Sequence, residues 1–236
     1  YTGTVRLGVS TDTDDREGTV IAERSTDGIT REGILACAVK LTGELHQQPP
    51  VYSALKVRGR RASDRARDGE NVELRPRRIR VHDFEVLDTD LGSGRFTFRV
   101  HCTKGTYVRS LARDLGEMLG TGAHLEGLRR TAAGLFTIEN AVTVEELDAH
   151  VRGGGPDRSF RISAAEAMAN YGRITAGKDA RGKVLNGSPF HRDGAVTIDD
   201  RGGKTFIIMD ENENLIAIAD VDIQKWHIKY LNVFNS

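Results

Sequence analysis

His101–Gly116, HCTKGTYVRSLARDLG, decides the fold. Ahead of it and into it, Phe96, Phe98, Val100 and Cys102 alternate with Thr97, Arg99, His101 and Thr103. That period of two predicts a strand with one buried face. Further on, Val108, Leu111, Ala112, Leu115 and Leu119 recur at helical spacing. Lys104-Gly105-Thr106 joins strand to helix. Arg109 falls in the first helical turn, where unpaired N–H groups carry partial positive charge. An anion beside it would relieve that placement. An acidic catalytic group or an RNA phosphate would serve, and so would solvent or an ordinary structural carboxylate.

The chain has 236 residues, 38% of them hydrophobic. That suits one large domain or two smaller ones. No apolar run reaches the length of a membrane span, and no signal-peptide pattern appears. Cys37 and Cys102 stand far apart with no metal-ligand spacing. This predicts a reducing compartment, the cytoplasm, and no structural zinc. Formal net charge is zero, yet residues 51–80 hold ten Lys/Arg against four Asp/Glu. A neutral protein with one basic limb fits local nucleic-acid contact.

At the start, Tyr1, Gly3, Val5 and Leu7 share one parity against Thr2, Thr4 and Arg6. This strand pattern is already in progress, so preceding sequence is expected. Gly8–Gly18 is a polar loop whose Asp12, Asp14 and Asp15 lack the central Gly and closing Glu of a calcium loop. They are expected to cap turns. Residues 30–43 read as a helix capped by Thr30 and ended by Gly43. Pro49-Pro50 favours extended backbone before the basic segment VRGRRASDRARDG, where Arg60, Arg61, Arg65 and Arg67 approach helical spacing. A solvated helix face and a phosphate-gripping limb explain this equally well. Residues 77–88 predict another strand. Gly120–Ala123 ends the central helix; a short helix with Leu125 and Leu128 and a strand around Leu135–Ile138 are expected next. Thr143 with Glu146, and Ser163 with Glu166, form capping boxes. Gly153–Pro156 is the clearest boundary. Beyond it, residues 184–187 read as a turn, and 204–209, 215–221 and Ile228–Phe234 as strands of a small, mostly β module.

Four stretches carry a resemblance: YTGTVRLGVSTDTDDREG, QPPVYSALKVRGRR with RARDG, CTKGTYVRSLARDLG, and GAHLEGLRRT. In this order they resemble the TruB family of bacterial tRNA pseudouridine-55 synthases over most of residues 1–150. Residues 162–236 resemble the family's PUA RNA-binding domain more weakly, through ISAAEA, LNG and DENENLIAIADV. The resemblance implies an α+β fold: a pseudouridine synthase mixed sheet over residues 1–152 with an inserted thumb at about 40–76, then a PUA-like domain at 162–236. It implies isomerisation of uridine 55 in the T arm of tRNA by an aspartate-dependent, base-flipping mechanism that needs no cofactor and no metal. The tRNA T stem-loop is the partner, and a monomer is expected.

By the same resemblance Tyr1 matches the tyrosine that stacks on the target base, and Arg109 the arginine that pairs with the catalytic aspartate. Leu128 matches a pocket leucine, while Lys104 and Tyr107 stand in the strand–turn–helix signature as pocket wall. Tyr52, Lys56, Arg58, Arg60, Arg61, Arg65 and Arg67 would hold RNA from the thumb. Two features depart from the family. Ser63 stands where the thumb usually has an aromatic, and the GTLDPxATG motif with the catalytic aspartate is missing. The aspartate is therefore expected upstream of this chain. The alternative is a non-catalytic RNA-binding or RNA-folding fragment. A nucleotide-binding α/β protein is excluded by the lack of a phosphate-cradling Gly loop.

Overall fold

The computed structural model describes residues 1–153 and 162–234. The chain divides into two compact units, Tyr1–Ala133 and Gly134–Ser236. Of the expected boundary, Gly154–Pro156 lie outside the described residues.

In chain order the first unit carries β1 (Thr2–Leu7), β2 (Val9–Thr11), β3 (Val20–Glu23), α1 (Arg31–Lys40), β4 (Gly43–Gln47), β5 (Lys56–Val57), β6 (Arg60–Arg61), α2 (Ala62–Arg67), β7 (Arg77–Asp90), β8 (Arg95–Cys102), α3 (Val108–Met118) and β9 (Ala123–Arg129). Five strands form one sheet in the order β4-β7-β8-β1-β9. All four pairings are antiparallel. The alternation along β8 does what it predicts: Phe96, Phe98 and Val100 are buried, and Thr97, Arg99 and His101 are not. On β7 the register shifts between Val81 and Asp83. That bulge brings Phe84 and Val86 into phase with Ile79 and Val81 on the buried face. The core closes when Ile34 and Ala38 of α1 and Leu111 and Leu115 of α3 join these strand residues.

Two expectations fail here for identifiable reasons. Residues 123–129 are not a short helix; they form β9, paired along β1 from Thr2↔Arg129 to Leu7↔Ala123. Leu125 and Leu128 suit helical spacing, but the free edge of β1 supplies a ladder that a helix there would leave unpaired. Arg60 and Arg61 are likewise not helical. Arg58 and Gly59 both adopt positive φ, 50° and 87°. They turn Lys56–Val57 back onto Arg60–Arg61 as a two-residue hairpin. Only Arg65 and Arg67 fall on α2. The limb has a small core of its own, Ala62, Val72 and Leu74.

The close approach of α3 to β9 fixes both. A Cβ on Gly116 would lie 2.4 Å from the backbone nitrogen of Ala123. The Gly116 carbonyl accepts from Thr121 N at 3.1 Å and Gly122 N at 3.0 Å. Gly120 and Gly122 make the turn with φ of 77° and 68°.

In the second unit Thr143 and Ser163 cap their helices with the expected boxes. The strand expected around Leu135–Ile138 is reduced to Phe136–Thr137. The expected turn at 184–187 is the end of a helix, Lys178–Leu185, with Gly187 at φ 67°. Five strands, 172–176, 195–199, 205–209, 215–222 and 227–233, form a mixed sheet. Its parallel pair is Gly172–Ala176 with Thr205–Met209. Trp226 donates its indole N–H to the Phe190 carbonyl at 2.7 Å and meets the Phe190 ring edge-on. The molecule is thus α+β, and no helix among the described residues is long and apolar enough to cross a membrane.

Gly116→Ala forces a methyl against backbone that cannot yield. It should destabilise the first unit by roughly 1–3 kcal/mol, measured as a lower denaturation midpoint by circular dichroism. An unchanged midpoint contradicts the close approach.

Candidate functional site

The site grows from the head of α3. Tyr107 caps this helix without a side-chain bond. The buried amide of Gln47 replaces it: Tyr107 N donates to Gln47 Oε1 at 2.8 Å, and Gln47 Nε2 donates to the Tyr107 carbonyl at 3.0 Å. Held in that way, the first turn presents Arg109 to the loop between β2 and β3. Its guanidinium donates to Asp15 Oδ2 at 2.7 Å, to the Thr13 carbonyl at 3.0 Å and to the Tyr52 carbonyl at 2.9 Å. Both charged side chains are 24% exposed.

Asp15 is held as firmly as its partner. Its Oδ1 accepts from the Thr13 hydroxyl at 2.7 Å and from Glu17 N at 3.1 Å. Its carbonyl accepts from the Thr11 hydroxyl at 2.6 Å. Burial is the largest single influence on its carboxyl and pushes the pKa up. The Thr13 hydroxyl, the Arg109 charge and the Glu17 N–H together outweigh it and hold the carboxyl below the usual range. The loop is tied to the sheet as well, through Leu125 N to the Asp14 carbonyl at 3.0 Å and Arg16 N to the Leu125 carbonyl at 3.1 Å.

An open cavity of about 470 Å³ lies beside this pair. Asp15, Arg16, Glu17 and Arg109 line one part of it, and Leu125–Leu128 of β9 another. Leu128 is 46% exposed. Glu126 is neutralised by Arg95 at 2.8 Å. The arrangement pairs an apolar wall with a fixed, ionised carboxylate–guanidinium couple, which suits a planar polar ligand.

Of the residues singled out from sequence, the structure brings Arg109 and Leu128 to this cavity. Tyr1, Lys104 and Tyr107 are not among its lining residues. Tyr1 pairs by backbone with Val100 in both directions at 2.8 Å and packs against the core. Lys104 is exposed and Tyr107 half-buried. In the limb, Arg60 pairs with Asp68 at 2.6 Å, Arg65 with Glu70 at 2.7 Å and Arg67 with Asp64 at 3.8 Å. Among the described residues, Lys56, Arg58 and Arg61 are exposed and have no carboxylate partner. Tyr52 serves the site through its carbonyl. Asp15 is the residue that sequence reasoning missed. Its signal was the misplaced Arg109, which asks for an anion, and the acidic loop that offers one. No group of three or more His, Cys, Asp or Glu among the described residues could hold a metal ion.

Known proteins share this architecture. A chain in the crystal structure of a Cbf5–Nop10–Gar1 complex superposes with a TM-score of 0.70 at 22% identity, over 99% of this chain and 64% of that one. A chain in an H/ACA RNP bound to a substrate RNA containing 2′-deoxyuridine gives 0.70 at 20% identity, over 100% and 65%. Those likenesses establish the fold. The sequence model for the TruB family pseudouridylate synthase N-terminal domain matches residues 1–108, and that for the tRNA pseudouridylate synthase B C-terminal domain matches 109–159. The tRNA pseudouridine synthase B of Prochlorococcus marinus is 34% identical, over all of this chain and 78% of its own length. Those of Cupriavidus metallidurans and Thermobifida fusca are 47% and 50% identical, over 70% and 63% of this chain. The chain belongs to the TruB family. Its match spans about half the length of the last two relatives, 52% and 53%.

The ionised Asp15 contributes stability that is complete above its unfolded value of 3.8 and is lost as pH falls through its lower folded value. Asp15→Asn should therefore cost the first unit about 1–3 kcal/mol at neutral pH. The gap between wild type and variant should be level above about pH 5 and shrink below about pH 4. Paired thermal melts across that range test this; a gap independent of pH contradicts the ion pair.

Proposed function

We propose that this chain is the Arg109-bearing part of a tRNA pseudouridine synthase, acting on uridine 55 of the T stem-loop. One observation carries the reading: in a TruB-family chain, the guanidinium of Arg109 and the side chain of Leu128 meet at one cavity. The uridine leaves its stack and enters that cavity, which costs least for a loop base. The bond between C1′ and N1 of the uridine breaks. The base turns while held, C5 joins C1′, the proton on C5 leaves, and N1 takes up a proton, so the product is an isomer of the substrate. An ionised aspartate drives the exchange, and a water-poor site tolerates that charge only beside an opposing one. Arg109, fixed by Asp15, supplies the opposing charge. Leu128 gives the base an apolar wall. Tyr1 packs against the core and does not line this cavity, so its part as the aromatic face rests on the family resemblance. The 236 residues contain no GTLDPxATG segment.

We assign residues 1–152 to the catalytic domain with its thumb at about 40–76, and 162–236 to a PUA-like RNA-binding module. The compact units divide earlier, between Ala133 and Gly134; the family match that ends at residue 159 favours the later boundary. Lys104 and Tyr107 belong to the signature around the site. The enzyme works as a cytoplasmic monomer, and the chemistry asks for no cofactor.

The test joins this chain to a family segment bearing the aspartate motif and supplies a T stem-loop tritiated at uridine C5. Tritium release from uridine 55 supports the reading. Binding without release overturns it in favour of a non-catalytic RNA-binding protein, which the missing motif favours. The limb is tested separately by salt. Replacing Lys56, Arg58 and Arg61 together with Gln should flatten the dependence of log affinity on log salt by about 0.7–0.9 for each phosphate that is no longer neutralised. An unchanged slope removes the limb from RNA binding.

A further inference from the structure

One turn beyond Arg109, a second guanidinium reaches the same two segments. Arg113 donates to Asp14 Oδ2 at 2.8 Å and to the Gln48 carbonyl at 2.9 Å. Arg109 reaches the adjacent Asp15, and Tyr52 four residues beyond Gln48. The two arginines therefore clasp the acidic loop and the first leg of the limb in parallel. Asp14 is no ordinary loop residue. It is 8% exposed and holds φ at +61°, a conformation that costs a non-glycine residue energy unless its surroundings impose it. That left-handed turn is what swings the next carboxylate, Asp15, towards Arg109. Gln48 in turn donates its side-chain amide to the Leu74 carbonyl at 2.8 Å, tying the first leg of the limb to the returning one. Leu74 belongs to the limb's own core.

We propose that Arg113 is a positioning residue: by holding Asp14 and Gln48 from one helix turn, it aims Asp15 at Arg109 and sets the base of the limb in register with it. What the aimed pair is for rests on the function proposed above; the aiming itself does not.

The charged groups around the clasp are few. Arg113 faces Asp14, Asp114 and Glu117. Asp14 faces Arg113, Arg109 and Asp114, and burial pushes its carboxyl up against the pull of the two arginines. Asp15 faces Arg109, the Thr13 hydroxyl and the Glu17 N–H. Asp114 accepts from Arg113 on the same helix at 2.8 Å and needs no other cation.

The experiment follows the Asp15 carboxyl by carbon NMR through an acid titration, in the chain as it stands. Three forms are compared: wild type, Arg113→Met and Asp14→Asn. Asp14→Asn removes the charge that Arg113 holds; asparagine still tolerates a left-handed backbone, so the turn stays accessible but is no longer imposed. In the wild type the Asp15 midpoint lies below 3.8. In both variants it should rise from the wild-type position, because the carboxylate is no longer delivered to Arg109, while the Thr13 hydroxyl and the Glu17 N–H keep their part of the shift. Arg113→Lys restores the charge without the fork and should recover part of the shift. A midpoint unmoved in Asp14→Asn, with only the melting temperature lowered, overturns the proposal and leaves Arg113 a structural residue. Should Arg113→Met not fold, Asp14→Asn alone decides. Failure of the joined enzyme to release tritium would overturn the function and leave this titration as it is.

Discussion

An arginine at the positive end of a helix organises this molecule. Arg109 in the first turn of α3 meets an unfavourable dipole of roughly 0.3–1 kcal/mol. A single hydrogen bond to a charged group contributes about 1.5–3 kcal/mol, so one well-placed carboxylate outweighs the dipole. The chain does more than supply that carboxylate. It ties the donor to two carbonyls besides and the acceptor to a hydroxyl and an amide. The acidic loop bonds here to β9 through Leu125 and, through Arg109, to the first leg of the limb. The loop and the limb meet where the charge of Arg109 is balanced.

The regular elements were legible because their signals were local. Alternation along β8, helical spacing in α3 and the capping boxes at Thr143 and Ser163 each lie within a dozen residues. What escaped depended on distant partners. Leu125 and Leu128 satisfy a helix and a strand equally, and only the open edge of β1 decides between them. A tight hairpin at Arg58-Gly59 hides in a sequence whose arginines look helical. Of the site, Arg109 could be picked out from its awkward position and Leu128 only by resemblance. Asp15 could not, because nothing in TDTDDREG distinguishes the carboxylate that will meet an arginine 94 residues away from those that close turns. Asp12 does close one, accepting from Thr19 N at 2.8 Å.

The limb shows how charge counts mislead. Its surplus of arginine fits a solvated helix face and a phosphate grip equally well, and Arg60 and Arg65 are engaged by Asp68 and Glu70. Arg65 is mostly buried and holds α2 against the hairpin, through Glu70 and the Val57 carbonyl. The cations left over cluster at the hairpin: Lys56, Arg58 and Arg61. A positive-φ turn thus does two jobs, reversing the chain and displaying Arg58 at its tip.

Trp226 is the only tryptophan in the chain, and its indole lies against Phe190 and the core of the second unit. Its emission therefore reports on that sheet. A tryptophan introduced in the first unit would give the molecule two optical reporters, one for each core.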